Sequence, residues 1–171
     1  QPGDTVIVAN GTYSFGQINF TNTKGTSTST WIVLKAQTFN GVTFTGSTYL
    51  QFSGKRILIT GFRFASGNSG TTDVIQFRNS SGTAASYCRL NNITIDSYNS
   101  DSTGSVAGTS PDTDNKWVSL YGTNNRADHC TFINKANAGA TVVVWYDNNT
   151  YPQKSTTTLH LIDSNYFKGR G

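Results

Sequence analysis

The sequence predicts an all-β fold, a right-handed parallel β-helix in which short strands recur once per turn of a solenoid. Three observations carry that expectation. Of 171 residues only 35% are hydrophobic and 13% charged, with Gly, Ser, Thr and Asn filling much of the remainder. That is neither a charged disordered chain nor a helical protein built on Ala, Glu and Lys. Short apolar or alternating runs recur without a 3.6-residue period, and Gly, Asn or Ser punctuates nearly every boundary. A five-residue word also returns at the spacing of a solenoid repeat.

The strand-like runs are Thr5-Val6-Ile7-Val8, Trp31-Ile32-Val33-Leu34, Tyr49-Leu50-Gln51-Phe52, Ile57-Leu58-Ile59, Val74-Ile75-Gln76-Phe77, Trp117-Val118-Ser119-Leu120 and Val142-Val143-Val144-Trp145. The repeated word is Asn40-Gly41-Val42-Thr43-Phe44, then Thr60-Gly61-Phe62-Arg63-Phe64, Asn91-Asn92-Ile93-Thr94-Ile95, Asp128-His129-Cys130-Thr131-Phe132 and Asp163-Ser164-Asn165-Tyr166-Phe167. Each reads as a polar residue, a turn former, then inward, outward and inward residues. Its central positions 42, 62, 93, 130 and 165 are separated by 20, 31, 37 and 35 residues. No two-residue hairpin loops join alternating partners, which favours a parallel coil over a sandwich or propeller. Phe44, Phe64, Ile95, Phe132 and Phe167 are therefore expected to point inward in successive coils. Residues 1–171 read as part of a single β-helix domain, incomplete at both ends, with loops leaving the coil near 97–114 and 147–157. Asn91, Asn92 and Asn165 are expected to serve the turns, because Asn bonds local backbone and tolerates the left-handed region.

Several function classes fall away. No run of about 18 apolar residues suggests a membrane helix, and no basic-then-apolar leader precedes Thr5. The chain opens Gln1-Pro2-Gly3-Asp4 and contains no Met, so it is expected to be a stretch of a longer protein. Cys88 and Cys130 lack metal-ligand spacing and are expected to be small buried core residues rather than a disulfide. A net charge of +4 and a pI near 9.1 suit a polyanionic partner. Lys and Arg are scattered and form no nucleic-acid motif. Asp4, Asp73 and Asp163 are isolated and offer no paired carboxylates for glycoside hydrolysis. His129 and His160 are read as structural histidines within strands.

The words Asn115-Lys116-Trp117-Val118-Ser119-Leu120-Tyr121-Gly122, Asn124-Asn125-Arg126-Ala127-Asp128-His129-Cys130-Thr131-Phe132, Val143-Val144-Trp145 and Ile162-Asp163-Ser164-Asn165-Tyr166-Phe167-Lys168-Gly169-Arg170 follow in order. In that order and spacing they resemble polysaccharide lyase family 6, which includes alginate lyases and chondroitinase B. The resemblance covers most of the chain and corresponds to the N-terminal β-helix portion of the family. It implies a secreted or periplasmic bacterial lyase that cleaves a uronate polysaccharide, alginate, by β-elimination. It also implies a calcium ion held by an Asn and two Glu, a Lys base and an assisting Arg. No Glu, Lys or Arg here matches those roles, so the catalytic pair and the calcium ligands are expected beyond Gly171, and the chain alone is expected to be inactive.

Substrate contact is assigned to Trp145, Tyr146, Lys168 and Arg170. The aromatic pair ends an apolar strand before a long loop, and strand alternation sends one ring to the core and the other outward. The two cations follow the last strand, where they can meet uronate carboxylates. Lys116 and Arg126 are read as packing and loop anchors. Further coils, from the rest of the chain or from another chain, are expected to cover the end around Tyr166 and Phe167. The alternatives are a dermatan sulfate or chondroitin B lyase of the same family, and a non-catalytic β-helix that binds glycans or acts as an adhesin.

Overall fold

The structure is a computed structural model that describes residues 3–22, 30–98, 115–145 and 159–169. Among these residues there is no helix, and the named strands pair in parallel. The chain winds in coils, each offering strands to three sheets in turn. The first coil contributes β1 (Thr5–Val8), β2 (Gly11–Ser14) and β3 (Gln17–Asn22), and the second β4 (Ile32–Ala36), β5 (Val42–Gly46) and β6 (Tyr49–Lys55). The third holds β7 (Ile57–Thr60), β8 (Phe62–Gly67) and β9 (Ile75–Gln76), followed by β10 (Ala85–Ser86), which rejoins the end of β6. The fourth holds β11 (Arg89–Asn91), β12 (Thr94–Asp96) and β13 (Val118–Leu120), and the fifth β14 (Arg126–Asp128), β15 (Thr131–Lys135) and β16 (Val142–Val144). β17 (Leu161–Asp163) and β18 (Tyr166–Gly169) begin the sixth. The β-helix expected from the sequence is what the chain forms.

Register is set by the inward rows, because in a pleated strand a slip of one residue would turn every buried side chain to water. In the first sheet Val6, Leu34, Ile59, Leu90, Ala127 and Ile162 stand one above another. In the second the row is Tyr13, Phe44, Phe64, Ile95, Phe132 and Phe167. In the third it is Ile18, Leu50, Ile75, Val118 and Val142. The repeated word centred at 42, 62, 93, 130 and 165 falls in the observed register of the second sheet. Phe44, Phe64, Ile95 and Phe132 are buried as expected, but Phe167 is 52% exposed. Its ring lies 5.1 Å from that of Phe132, yet no described residue covers its other side. The same holds for Val6 and Ile162, 45% and 40% exposed at opposite ends of a row whose middle members are buried.

The corners depend on single residues in the left-handed region. Gly61, Asn92, His129 and Ser164 turn the chain from the first sheet into the second, with φ between 52° and 86°. Arg56, Tyr87, Asn124 and Leu159, with φ between 45° and 55°, turn it from the third sheet back into the first. His129 is therefore an exposed corner residue rather than part of a strand, and His160 precedes β17. A sharp bend needs the left-handed conformation whatever residue the strands leave there, which is why the strand reading fails at His129, while His160 follows the corner residue Leu159 and stops short of β17. Asn92 takes the turn role expected of it, whereas Asn91 lies in β11 and Asn165 serves by bridging to the coil before it. The Asn165 side chain accepts from the Cys130 N–H at 2.9 Å and donates to the Ala127 carbonyl at 2.9 Å. One coil earlier Asn125 accepts from Cys88 N–H at 2.9 Å and donates to Ala85 and Tyr121 carbonyls. Both cysteines are free and buried, as expected. Burial pushes their thiols up, Cys88 to about 11 and Cys130 to about 12, so neither is a nucleophile at neutral pH.

The outer face of the first sheet carries a column of charge. Asp128, wholly buried, accepts from Arg89 Nε at 2.7 Å and from Asn91 Nδ2 at 3.0 Å, and pairs with His129 at 2.6 Å. Arg126 reaches Asp128 at 3.3 Å and clasps Asp163 at 3.0 and 2.8 Å. Burial alone would raise the Asp128 carboxyl. Donation from Arg89 and His129, with the charges of Arg89 and Arg126, outweighs it and holds the carboxyl at about 2.

Two measurements test this account. Phe64→Ala should cost about 3–5 kcal/mol, whereas Phe167→Ala should cost under about 1.5 kcal/mol because half of that side chain is already wet; urea midpoints distinguish the two. Asp128 has a folded pKa below its ordinary 3.8, so its contribution is complete above about pH 4 and is lost as pH falls through about 2. Thermal scans should show Asp128→Asn with lower stability at neutral pH and a shallower loss between those two values. Parallel slopes for the two proteins would contradict the charge column.

Candidate functional site

The outer face of the third sheet differs from that of the first. Its strands place Gln51, Gln76 and Ser119 at one register position, between inward Leu50, Ile75 and Val118 and the next inward residues. Strand alternation makes these side chains point outward. Gln17 Nε2 donates to Gln51 Oε1 at 2.5 Å, Gln51 Nε2 to Gln76 Oε1 at 3.3 Å, and Arg78 Nε to the same Gln76 oxygen at 3.2 Å. The result is a row of amides running from coil to coil and ending on a guanidinium. An excursion between β9 and β10, closed by a bridge from Arg78 to Ala84, raises a wall beside the row. Between wall and row lies a cleft of about 620 Å³, lined by Gln17, Tyr49, Gln51, Gln76, Arg78 and the loop 79–82.

Aromatic rings continue this face toward the fifth coil. The Arg78 guanidinium lies 4.1 Å from the Tyr121 ring centroid. Tyr121 stacks on Trp145 at 6.1 Å with 12° between planes, and Lys116 Nζ lies 5.6 Å from the Trp145 ring. Trp145 Nε1 donates to Ser119 Oγ at 3.2 Å, and that hydroxyl donates to Asp73 at 2.6 Å. The other Asp73 oxygen accepts from Lys116 N–H at 2.8 Å. Asp73 thus fixes both Lys116 backbone and Ser119, and through them the indole. Gln51, Gln76 and Tyr121 are themselves buried, so the face offers a sugar polymer the Trp145 ring for C–H faces and the cations for carboxylates, with the amides forming the floor of the cleft.

Of the four residues assigned to substrate contact, Trp145 lies on this face and is 38% exposed. Tyr146 and Arg170 fall outside the described residues, as do the loop positions 99–114 and 147–157. Lys168 stands elsewhere, on β18 of the second sheet beside Ile133, in a hollow of about 270 Å³ with Lys135, Asn137 and Phe167. The structure therefore does not bring Lys168 and Trp145 together. Lys116, read as an anchor, and Arg78, Gln17, Gln51, Gln76 and Asp73, not singled out, join the face instead. Stacking the third-sheet strands on Leu50, Ile75 and Val118 would have revealed the amide row.

The calcium site implied by the family resemblance finds no fit here. The chain contains no Glu, and among the described residues no three His, Cys or Asp side chains converge as a metal site. Asp73 and Asp128, the two carboxylates nearest to clusters of donors, are already occupied by Lys116, Ser119, Arg89 and Arg126. His160, the remaining nitrogen ligand of interest, accepts from Asn125 N–H at 3.2 Å, and burial pushes its pKa down, so it stays neutral.

Comparison with known proteins agrees with the fold. A family profile described as Chondroitinase B matches residues 1–171. Among curated proteins none matches. A mannuronic acid specific polysaccharide family 6 lyase from human gut microbiota superposes with a TM-score of 0.83 at 32% identity, over 99% of this chain and 36% of that one. The PL6 family alginate lyase AlyGC gives 0.76 at 26% identity, over 98% and 23%. A PL6 alginate lyase solved with a trisaccharide shares the fold, with a TM-score of 0.74 at 22% identity over 98% and 30%. The chain thus spans between 23% and 36% of the length of these structures. With the profile matching residues 1–171 and the coils of the described residues superposing on a family member at 32% identity, the chain belongs to polysaccharide lyase family 6, the family of chondroitinase B.

Proposed function

We propose that the protein cleaves alginate, a uronate polysaccharide, by β-elimination, and that these coils form one wall of its substrate groove. The observation that carries the reading is the continuous outer face of the third sheet, where the amide row, Arg78, Lys116 and the Tyr121–Trp145 stack meet beside a cleft. β-Elimination removes the proton beside a uronate carboxylate, which becomes acidic enough only when the developing charge is stabilised and a base is held within reach. The part of these residues is to bind and orient: rings to hold a sugar plane, Arg78 and Lys116 to draw carboxylates. We assign the Lys base, the assisting Arg and the calcium ligands to sequence after Gly171, in coils seated on the exposed ends of the inward rows at Ile162 and Phe167. A polymeric substrate fits a secreted or periplasmic bacterial enzyme. The profile's description keeps a second substrate in view, the uronate of dermatan sulfate.

The test is an assay with the following coils present, on alginate and on dermatan sulfate, reading the ultraviolet absorbance of the new double bond. Alginate should give unsaturated ends, and residues 1–171 alone should give none. Trp145→Ala should raise KM roughly 3–10-fold with kcat little changed, the worth of one aromatic contact of about 0.5–1.5 kcal/mol. Binding of alginate without unsaturated product would favour the non-catalytic β-helix. Preference for dermatan sulfate would move the substrate.

A further inference from the structure

At the corner between the third and first sheets, Trp31, Arg56, Tyr87 and Asn124 occupy one position in four successive coils. The Arg56 guanidinium lies 5.9 Å from the Trp31 ring centroid and 5.6 Å from that of Tyr87. A cleft of about 250 Å³ opens there, lined also by Arg89 and Arg126. Those two arginines are engaged by Asp128 and Asp163, yet their side chains remain 35% and 36% exposed. Among the described residues no carboxylate lies within salt-bridge distance of Arg56. Three guanidinium groups against two carboxylates leave the corner one positive charge in excess.

Stability does not explain these residue types. Tyr87 and Arg56 sit at φ 53° and 54°, where a side chain other than Gly or Asn is strained, and the next coil places Asn124 there at φ 55°. Tyr87 is also 46% exposed, so its ring gains little from burial. The bend itself is imposed by the strands on either side, so what points to use is the cation held between two rings in an open cleft. We infer that this corner is a second binding site for acidic saccharide, separate from the groove on the third sheet, in which Arg56 takes a uronate carboxylate and Tyr87 or Trp31 takes the face of the sugar. The planar guanidinium matches a carboxylate with two parallel donors, and the rings hold it oriented. Choice of a uronate rests on the function proposed above; a single excess charge without a Lys or Arg run argues against nucleic acid.

Substitution by Asn removes either side chain while suiting the left-handed backbone, so Arg56→Asn and Tyr87→Asn should keep or raise the unfolding midpoint. Migration of the protein in native gels containing alginate reads binding without turnover. Each variant should weaken apparent affinity roughly three- to tenfold, the worth of one exposed ring or guanidinium contact, and the double variant should lose more. Retardation by neutral dextran and KM for a short alginate oligosaccharide should not change. Unchanged migration in alginate would overturn the site, as would equal losses in dextran, or a loss confined to a single-stranded oligonucleotide. A protein that makes no unsaturated product but loses alginate retardation on Arg56→Asn would retain this site while the lyase reading fell.

Discussion

Every coil of this chain buries its apolar side chains only because another coil lies against it, about 4.8 Å along the axis. A single turn has no interior of its own. Phe64 is wholly buried because Phe44 lies beneath it, Ile95 above it, and Tyr98 closes the side with its ring 5.7 Å away. Where that contact is missing the end of a row is wet, as at Val6 in the first sheet and Phe167 in the second. Contact between like positions therefore dictates register, and register places everything outside. Arg89 finds Asp128, and Gln51 finds Gln76, because the inward rows behind them are locked.

The same constraint explains what the sequence revealed. A row that must stack on itself repeats in the chain, so the word ending in Phe44, Phe64, Ile95, Phe132 and Phe167 could be aligned by eye, and its register proved correct. The corners were partly legible. Asn92 announces a left-handed turn, but Arg56, Tyr87, His129 and Leu159 do not, because there the bend is imposed by the strands on either side and not by the residue.

The functional face was harder to read for a related reason. After the long β3 and β6 the third sheet continues in short strands, β9 of two residues and β13 of three, separated by chain excursions, so no long word survives along the sheet to be matched. Gln17, Gln76 and Trp145 lie far apart in sequence and meet only through the coil. Trp145 was found because it ends a strong apolar run. Lys168 is expected to meet carboxylates because it follows the last strand, yet strands following one another in a coil belong to different sheets, and β18 belongs to the second.

Charge separates the faces further. On the first sheet Asp128 is set between the guanidinium groups of Arg89 and Arg126 and Asp163 is clasped by Arg126, so two carboxylates balance two guanidinium groups along its centre. On the third sheet Asp73 is turned to the Lys116 N–H and Ser119, and what remains outward is amide, ring and cation. Among the described residues positive charge exceeds negative at the corner of Arg56, and a polyanion is repelled least there. Because coils stack at a fixed pitch, these groups are held at regular intervals along the axis with little freedom to move. A saccharide lying along that axis meets a rigid series of contacts whose geometry is set before it arrives, which lowers the ordering cost of binding and leaves more of the contact energy for holding the polymer in place.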